Sequence, residues 1–270
     1  MRRPGLLWLL LVLLPACIQP PSTPTPVPVH LILAGPAEME PLGQALAEAY
    51  MARRPYATVT YRPGDWESGP AAVARQTADV GLWAGLPTDG EINCGPGLTA
   101  TLIARDAVAV VVAPHNPVVS LSVREIQSLF AGRIPNWHEV GGHDQEVQVI
   151  SWYEEARIHQ LFAGLVMRGR RITPTALVVS SDAGVQALIA EWPEAIGYMH
   201  WQALSSPVRA LAIGGIPPTA QNIGTGQYPL SWPVVLVTAD PPGREALDLV
   251  SFVRSPAGQG VVVRWLAPVP

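Results

Sequence analysis

An α/β chain in two segments is what this sequence predicts, and three observations carry the prediction. Short runs rich in β-branched residues alternate with stretches of helical periodicity, and the alternation starts again near residue 147. Across 270 residues, 49% are apolar, enough to fill cores in two lobes of ordinary size. Strands separated by helices of this length indicate βαβ units around parallel sheets.

In the first segment "HLILA" (30–34) reads as a strand. "EMEPLGQALAEAYMARR" (38–54) is an amphipathic helix with Leu42, Leu46, Ala49 and Tyr50 on one face. "ATVTYR" (57–62) is a second strand, "PAAVARQTA" (70–78) a helix and "DVGLWAG" (79–85) a third strand. The apolar run "LIARDAVAVVVAP" (102–114) leads through the turn "HNP" to the helix "SVREIQSLFAG" (122–132). The second alternation runs strand "VQVIS", helix from about 154 to 168, strand "ALVVS", helix "SDAGVQALIAEW", strand "AIGYM". Ser181 or Asp182 caps the last of these helices. Strand-like "VRALAIGG" and "PVVLVTA" follow, with helices around "GREALDLVSFV" and "AGQGVVVRWL". The runs near 110–113 and 196–198 are candidates for strands that cross between the two segments.

The formal net charge is −4, and no basic run follows Arg2 and Arg3, so the electrostatic footprint of a nucleic-acid binder is missing. Lysine is absent altogether, which removes a GxxxxGK phosphate loop and Schiff-base chemistry. The N-terminal "MRRPGLLWLLLVLLPAC" has a basic start, an apolar run too short to span a bilayer and a small-residue site, the three regions of a secretory signal. Leu14-Pro15-Ala16-Cys17 resembles a bacterial lipobox, which makes residues 1–16 a lipoprotein signal peptide and Cys17 the lipidated first residue of the mature chain. Residues 17–28 are proline-rich and read as an extended tether. Lipidation of Cys17 would leave Cys94 without a disulfide partner, as a packed thiol. His138 and His143, in a glycine turn, read as solvated rather than as a metal pair, and no catalytic constellation is visible.

The order of features in "AVVVAPHNPVVSLSVREIQSLFAGRIPNWHEVGG" is more specific. Asn116-Pro117, Leu129-Phe130-Ala131-Gly132, Ile134-Pro135-Asn136-Trp137 and Gly141-Gly142 resemble the phosphate-binding proteins of ABC transporters. So do Ala195-Ile196-Gly197-Tyr198, "GIPPTAQNIGTGQYPLSWPVVLVT" and "VSFVRSPAGQGVV". The resemblance implies a two-lobed periplasmic-binding-protein-like (Venus flytrap) fold, with one lobe from 28–110 and 200–270 and the other from 111–199. It also implies an extracytoplasmic, monomeric, non-enzymatic solute-binding protein working with ABC permease subunits and needing no cofactor. A lipoprotein using the same fold for sensing or adhesion is the alternative. Trp137 is expected to anchor the core and the glycines to serve turns or close packing.

In that family, four loops hold a dehydrated phosphate with hydroxyls, amides and an arginine, since each oxygen of a buried anion needs a donor. The matching positions here have lost those donors. The first loop falls on Gly35-Pro36-Ala37-Glu38, the second on residues 63–69 with Trp66 in the place of a serine, and the third on Ala84-Gly85. The fourth falls on Ala156-Arg157-Ile158-His159. Aromatic and acidic residues stand around them, a combination suited to an organic or cationic ligand of unknown identity; the alternatives are a degenerate cleft whose aromatics only pack the lobes together, and an anion met by Arg157 and His159. The expected ligand-binding residues are therefore Ala37, Glu38, Asp65, Trp66, Trp83, Trp152, Tyr153, Arg157 and His159.

Overall fold

The computed structural model describes residues 28–87, 92 and 94–269. The signal peptide, Cys17 and nearly all of the tether lie outside the described residues. The chain folds as strands β1 (Val29–Pro36), β2 (Ala57–Gly64), β3 (Val80–Ala84) and β4 (Leu98–Val112), with helices α1 (Glu40–Met51) and α2 (Ser68–Ala74) between the first three. Then come β5 (Ser120–Leu121), α3 (Val123–Phe130), β6 (Gln148–Trp152), α4 (Arg157–Phe162), β7 (Leu177–Val179), α5 (Asp182–Glu191) and β8 (Ala195–His200). The C-terminal part adds β9 (Arg209–Ala210), β10 (Ala212–Ile213), α6 (Ala220–Gly224), β11 (Ser231–Ala239), α7 (Arg244–Arg254), α8 (Pro256–Val262) and β12 (Ala267–Pro268).

The main sheet has the order β2-β1-β3-β11-β4-β8-β6-β7, with β9 and β12 also pairing with β4. β1 lies parallel to β2 in continuous register from Val29↔Ala57 to Pro36↔Gly64. β11 then enters antiparallel between β3 and β4. β4 is the element that joins the two halves: its residues 98–107 pair with β11, and residues 108–112 pair with β8. Both expected crossing runs meet there, since Val110, Val111 and Val112 pair with Tyr198, Gly197 and Ile196. Val111 and Val112 also pair with β9, and β10 pairs with β5. Residues 107–112 of β4 are fully buried, which explains why that run reads as continuously apolar instead of alternating.

Local sequence accounts for the helices. In α1, Leu42, Leu46 and Tyr50 are buried at the spacing read from the sequence, and Ala49 on that face packs against the same core while only partly buried. Ser122 and Glu125 close a reciprocal capping box on α3, and the Ser181 hydroxyl accepts the Gly184 amide at the start of α5. α4 begins at Arg157 rather than near 154: residues 154–156 form a turn, the Ala156 amide donates to Tyr153 O, and Ala156 is extended with no side chain to cap the helix. The helix continues into a wider π turn over Ala163–Met167 and stops at Arg168 in the left-handed region.

The second half has an aromatic core. Phe162 lies flat on Tyr198, with centroids 3.9 Å apart and planes 2° from parallel, and Phe130 tilts against Phe162 at 4.7 Å. Trp137 is buried and its indole N–H donates to Glu194 O at 2.7 Å, so it anchors the core as expected. His138 and His143 sit on the surface turn, His138 being 3.9 Å from Asp144. Cys94 is a half-buried free thiol against the cluster of Trp83, Val235 and Val237, and burial pushes its pKa up. Among the described residues, no helix is long and apolar enough to cross a membrane.

Candidate functional site

Strand ends and the turns that follow them converge on a cavity of about 600 Å³. Its walls include Glu38 and Met39 after β1, Trp66 after β2 and Ala84 closing β3. Trp152, Tyr153 and Arg157 come from the β6–α4 turn. This placement follows from the topology: in open α/β sheets, ligand crevices form beyond the carboxyl ends of parallel strands.

Arg157 dominates one end. Its guanidinium reaches from the first residue of α4 to β3, where Nη2 donates to Ala84 O at 3.1 Å. The same group lies 5.0 Å from the centre of the Trp66 ring, within cation–π range. Its Nε is buried and has no hydrogen-bond partner. Burial pulls the guanidinium pKa below its ordinary value, and the charges of Glu67 and Glu38 oppose that shift. A side chain on residue 85 would collide here, since a Cβ on Gly85 would sit 2.6 Å from the Trp83 ring and 3.1 Å from Nη2 of Arg157.

The other end lies beside β4 and β8. His200, at the end of β8, is gripped by Asp182: one Asp182 oxygen accepts the His200 amide at 2.9 Å, and the ring Nδ1 lies 3.0 Å from the other. Burial alone would lower the His200 pKa, but the Asp182 bond and charge, with Asp106 adding to them, hold it above its ordinary value. Asp106 projects from β4, accepting the Ala107 amide at 2.8 Å and the Gln202 side chain at 3.0 Å, and burial raises its pKa. The edge of Trp152 meets the His200 ring at 5.7 Å and 86°. Trp232 and Trp265 complete that wall, and Gln202 also bonds Trp265 O.

Five of the nine expected residues line the cavity: Glu38, Trp66, Trp152, Tyr153 and Arg157. Four do not. Ala37 is exposed beside the wall, and Asp65 shapes its own loop, accepting the Glu67 amide at 3.1 Å. Trp83 points to the opposite face of β3, because successive strand residues alternate sides, and packs on Val235 and Val237. His159 supports the wall from behind, its Nδ1 lying 3.0 Å from Trp152 O and 3.2 Å from the Tyr198 hydroxyl. Sequence reasoning missed Asp106, His200, Gln202, Trp232 and Trp265, and read Asp182 only as a cap. Asp106 was the one with a signal, a carboxylate set inside an apolar strand run.

Comparison with known proteins settles the family. A family model described as a PBP superfamily domain matches residues 21–257. The chain belongs to that superfamily. A phosphate-binding protein PstS of Bacillus subtilis is 29% identical over 201 residues, covering 74% of this chain and 67% of the relative. A phosphate-binding protein PstS 2 of Streptococcus pneumoniae is 32% identical over 110 residues, covering 41% of this chain and 37% of its own length. Among solved structures, an ABC-type phosphate transport receptor from Vibrio cholerae superposes with a TM-score of 0.78 at 24% identity, over 89% of this chain and all of that one. PstS from Borrelia burgdorferi gives 0.79 at 18%, over 89% and 99%. The α/β, two-lobed binding-protein fold is thereby shown, and this PBP-superfamily chain resembles phosphate-binding proteins, which are binding proteins and not enzymes.

Proposed function

We propose that this protein is a lipid-anchored, extracytoplasmic solute-binding protein of a phosphate-type ABC import system whose cleft has turned from phosphate to an organic ligand. The proposed lobes are 28–110 with 200–270, and 111–199, with 209–213 reaching across to pair at 111–112 and 120–121. The relatives' names supply the transport context, and a monomer delivering its ligand to permease subunits is the arrangement they suggest. Lipidation at Cys17, the signal at 1–16 and the proline tether come from the sequence alone.

One observation carries the altered specificity: at loop positions around the cavity stand an aromatic ring, two alanines and a carboxylate where a dry phosphate needs donors. Trp66, Ala84, Ala156 and Glu38 all line it. A hydrogen bond to a charged ligand contributes about 1.5–3 kcal/mol, so losing three of them weakens binding by at least about a thousandfold. Glu38 adds repulsion. Phosphate is also far smaller than the cavity, whose volume lies in the range that holds organic molecules.

Isothermal calorimetry on protein stripped of bound ligand tests this reading. No phosphate binding is expected at micromolar concentration, and a micromolar dissociation constant would overturn the reading. Anchoring is tested separately: Cys17→Ala should release the protein from membranes or leave the signal uncleaved, whereas a processed mutant that still partitions into detergent would refute it.

A further inference from the structure

The cavity has two poles of opposite charge, and only one of them lies among the loops of the phosphate-type cradle. At that pole Arg157 carries a buried Nε without an acceptor and a guanidinium held on Trp66. At the other, Asp106 and Asp182 flank His200 within a wall that includes Trp152, Trp232 and Trp265. Asp182 is already shared with His200, bonding both its backbone amide and its ring. Asp106 also lines the cavity, accepting from the Ala107 amide and the Gln202 side chain, and it shares in holding the charge of His200. Arg264 also lines the cavity, exposed and with its guanidinium 5.9 Å from the centre of the Trp265 ring, so that wall carries a second cation.

This arrangement discriminates among ligand classes. A simple anion that satisfied Arg157 would also face Glu38 and the Asp106 carboxylate. A simple cation would meet the carboxylates and aromatic faces but would repel Arg157 and leave its Nε unpaired, and an unpaired buried donor is costly. A molecule with both charges satisfies both poles. Resting on the reading that the ligand is organic, we infer that the cleft takes a small organic zwitterion, its carboxylate meeting Arg157 and its ammonium group lying against Asp106 within the tryptophan wall. The carboxylate would draw the guanidinium away from Ala84 O into a charge-assisted, fork-like pair, and the aromatic faces would hold the ammonium by cation–π attraction.

The test uses full-length protein purified in detergent and stripped of bound ligand. Glycine betaine, γ-aminobutyrate and L-phenylalanine serve as zwitterions, choline and phenylacetate as single-charge controls, and inorganic phosphate as a separate arm. At least one zwitterion should raise the melting temperature and bind about tenfold or more tighter than either control, the ratio one charge-assisted contact gives. Asp106→Asn and Arg157→Gln should each weaken that zwitterion by about the same factor. Silence from all three zwitterions at millimolar concentration, or a control that binds as tightly, overturns the inference. Should Asp106→Asn fail to fold, the ratio in the unsubstituted protein decides alone. Tight phosphate binding would instead remove the reading beneath the inference, whatever the zwitterions do.

Discussion

Phe162 and Arg157 stand on the same short helix, five positions apart, and they live under opposite constraints. Phe162 is fully buried, flat on Tyr198 and tilted against Phe130. Arg157 is half-buried, charged, and leaves one donor unpaired. The aromatic end of α4 is constrained by packing density, where a lost methylene is felt throughout the core. The arginine end is constrained by what enters the cleft, so it can change without unmaking the fold. The proposed change of cleft inside a kept frame rests on that difference.

Removing the buried ring breaks the comparison hardest. Phe162→Ala should cost about 3–5 kcal/mol, seen as a large drop in the midpoint of denaturant unfolding. A loss below about 1 kcal/mol would mean that α4 is not a structural element in the sense argued. A smaller effect belongs to Tyr198→Phe, which strips the hydroxyl near Ser151 Oγ (3.1 Å), the Trp152 amide (3.3 Å) and His159 Nδ1 (3.2 Å). The buried amide left behind sets the cost at about 1–3 kcal/mol, and burial already holds the phenol pKa up at about 12. At the other end of the helix, Arg157→Met should change stability by no more than about 1 kcal/mol, because the lost Ala84 bond and ring contact are offset by relief of an unpaired buried charge. Equal losses for Phe162→Ala and Arg157→Met would erase the distinction.

The smallest effect is a pH dependence at the cavity's second pole. Asp182 holds the His200 pKa above the unfolded value, so this pair's stabilisation is complete below about pH 6.5 and fades as pH rises through the raised value. Asp182→Asn should therefore cost more at pH 5.5 than at pH 8.5 when unfolding midpoints are compared. A cost that is flat, or that grows with pH, would show that the pair does not exchange a proton on folding.

Much of the frame was legible because it rests on local signals. Alternating strand and helix periods, the Ser181 cap and the buried Trp137 each leave a mark within a few residues of sequence. The cavity lining was legible only near positions that family loops mark, where Glu38, Trp66, Trp152, Tyr153 and Arg157 stand. Trp83 was misplaced because loop matching ignores strand parity: on β3, one residue more or less changes the face. Asp106, His200, Trp232 and Trp265 come from β4, β8, β11 and the C-terminal turn, elements far apart in sequence whose meeting depends on the crossing strand. No window of the sequence contains that meeting.

β11 carries a consequence for how the chain is made. β3 and β4 are neighbours in sequence, but the space between them in the sheet is held by residues 231–239. A chain emerging from its N-terminus can assemble β2, β1 and β3, and then β4, only as unjoined pieces. The central seam of the sheet stays open until residues 231–239 of the 270 have appeared, and long-range pairing of this kind is slow to form. The N-terminal strands of such a chain complete their sheet only after nearly all of it has been made. Truncation after residue 225 should accordingly leave β1–β4 protease-sensitive, and a protected fragment over those strands would show that the seam can close without its late-arriving strand.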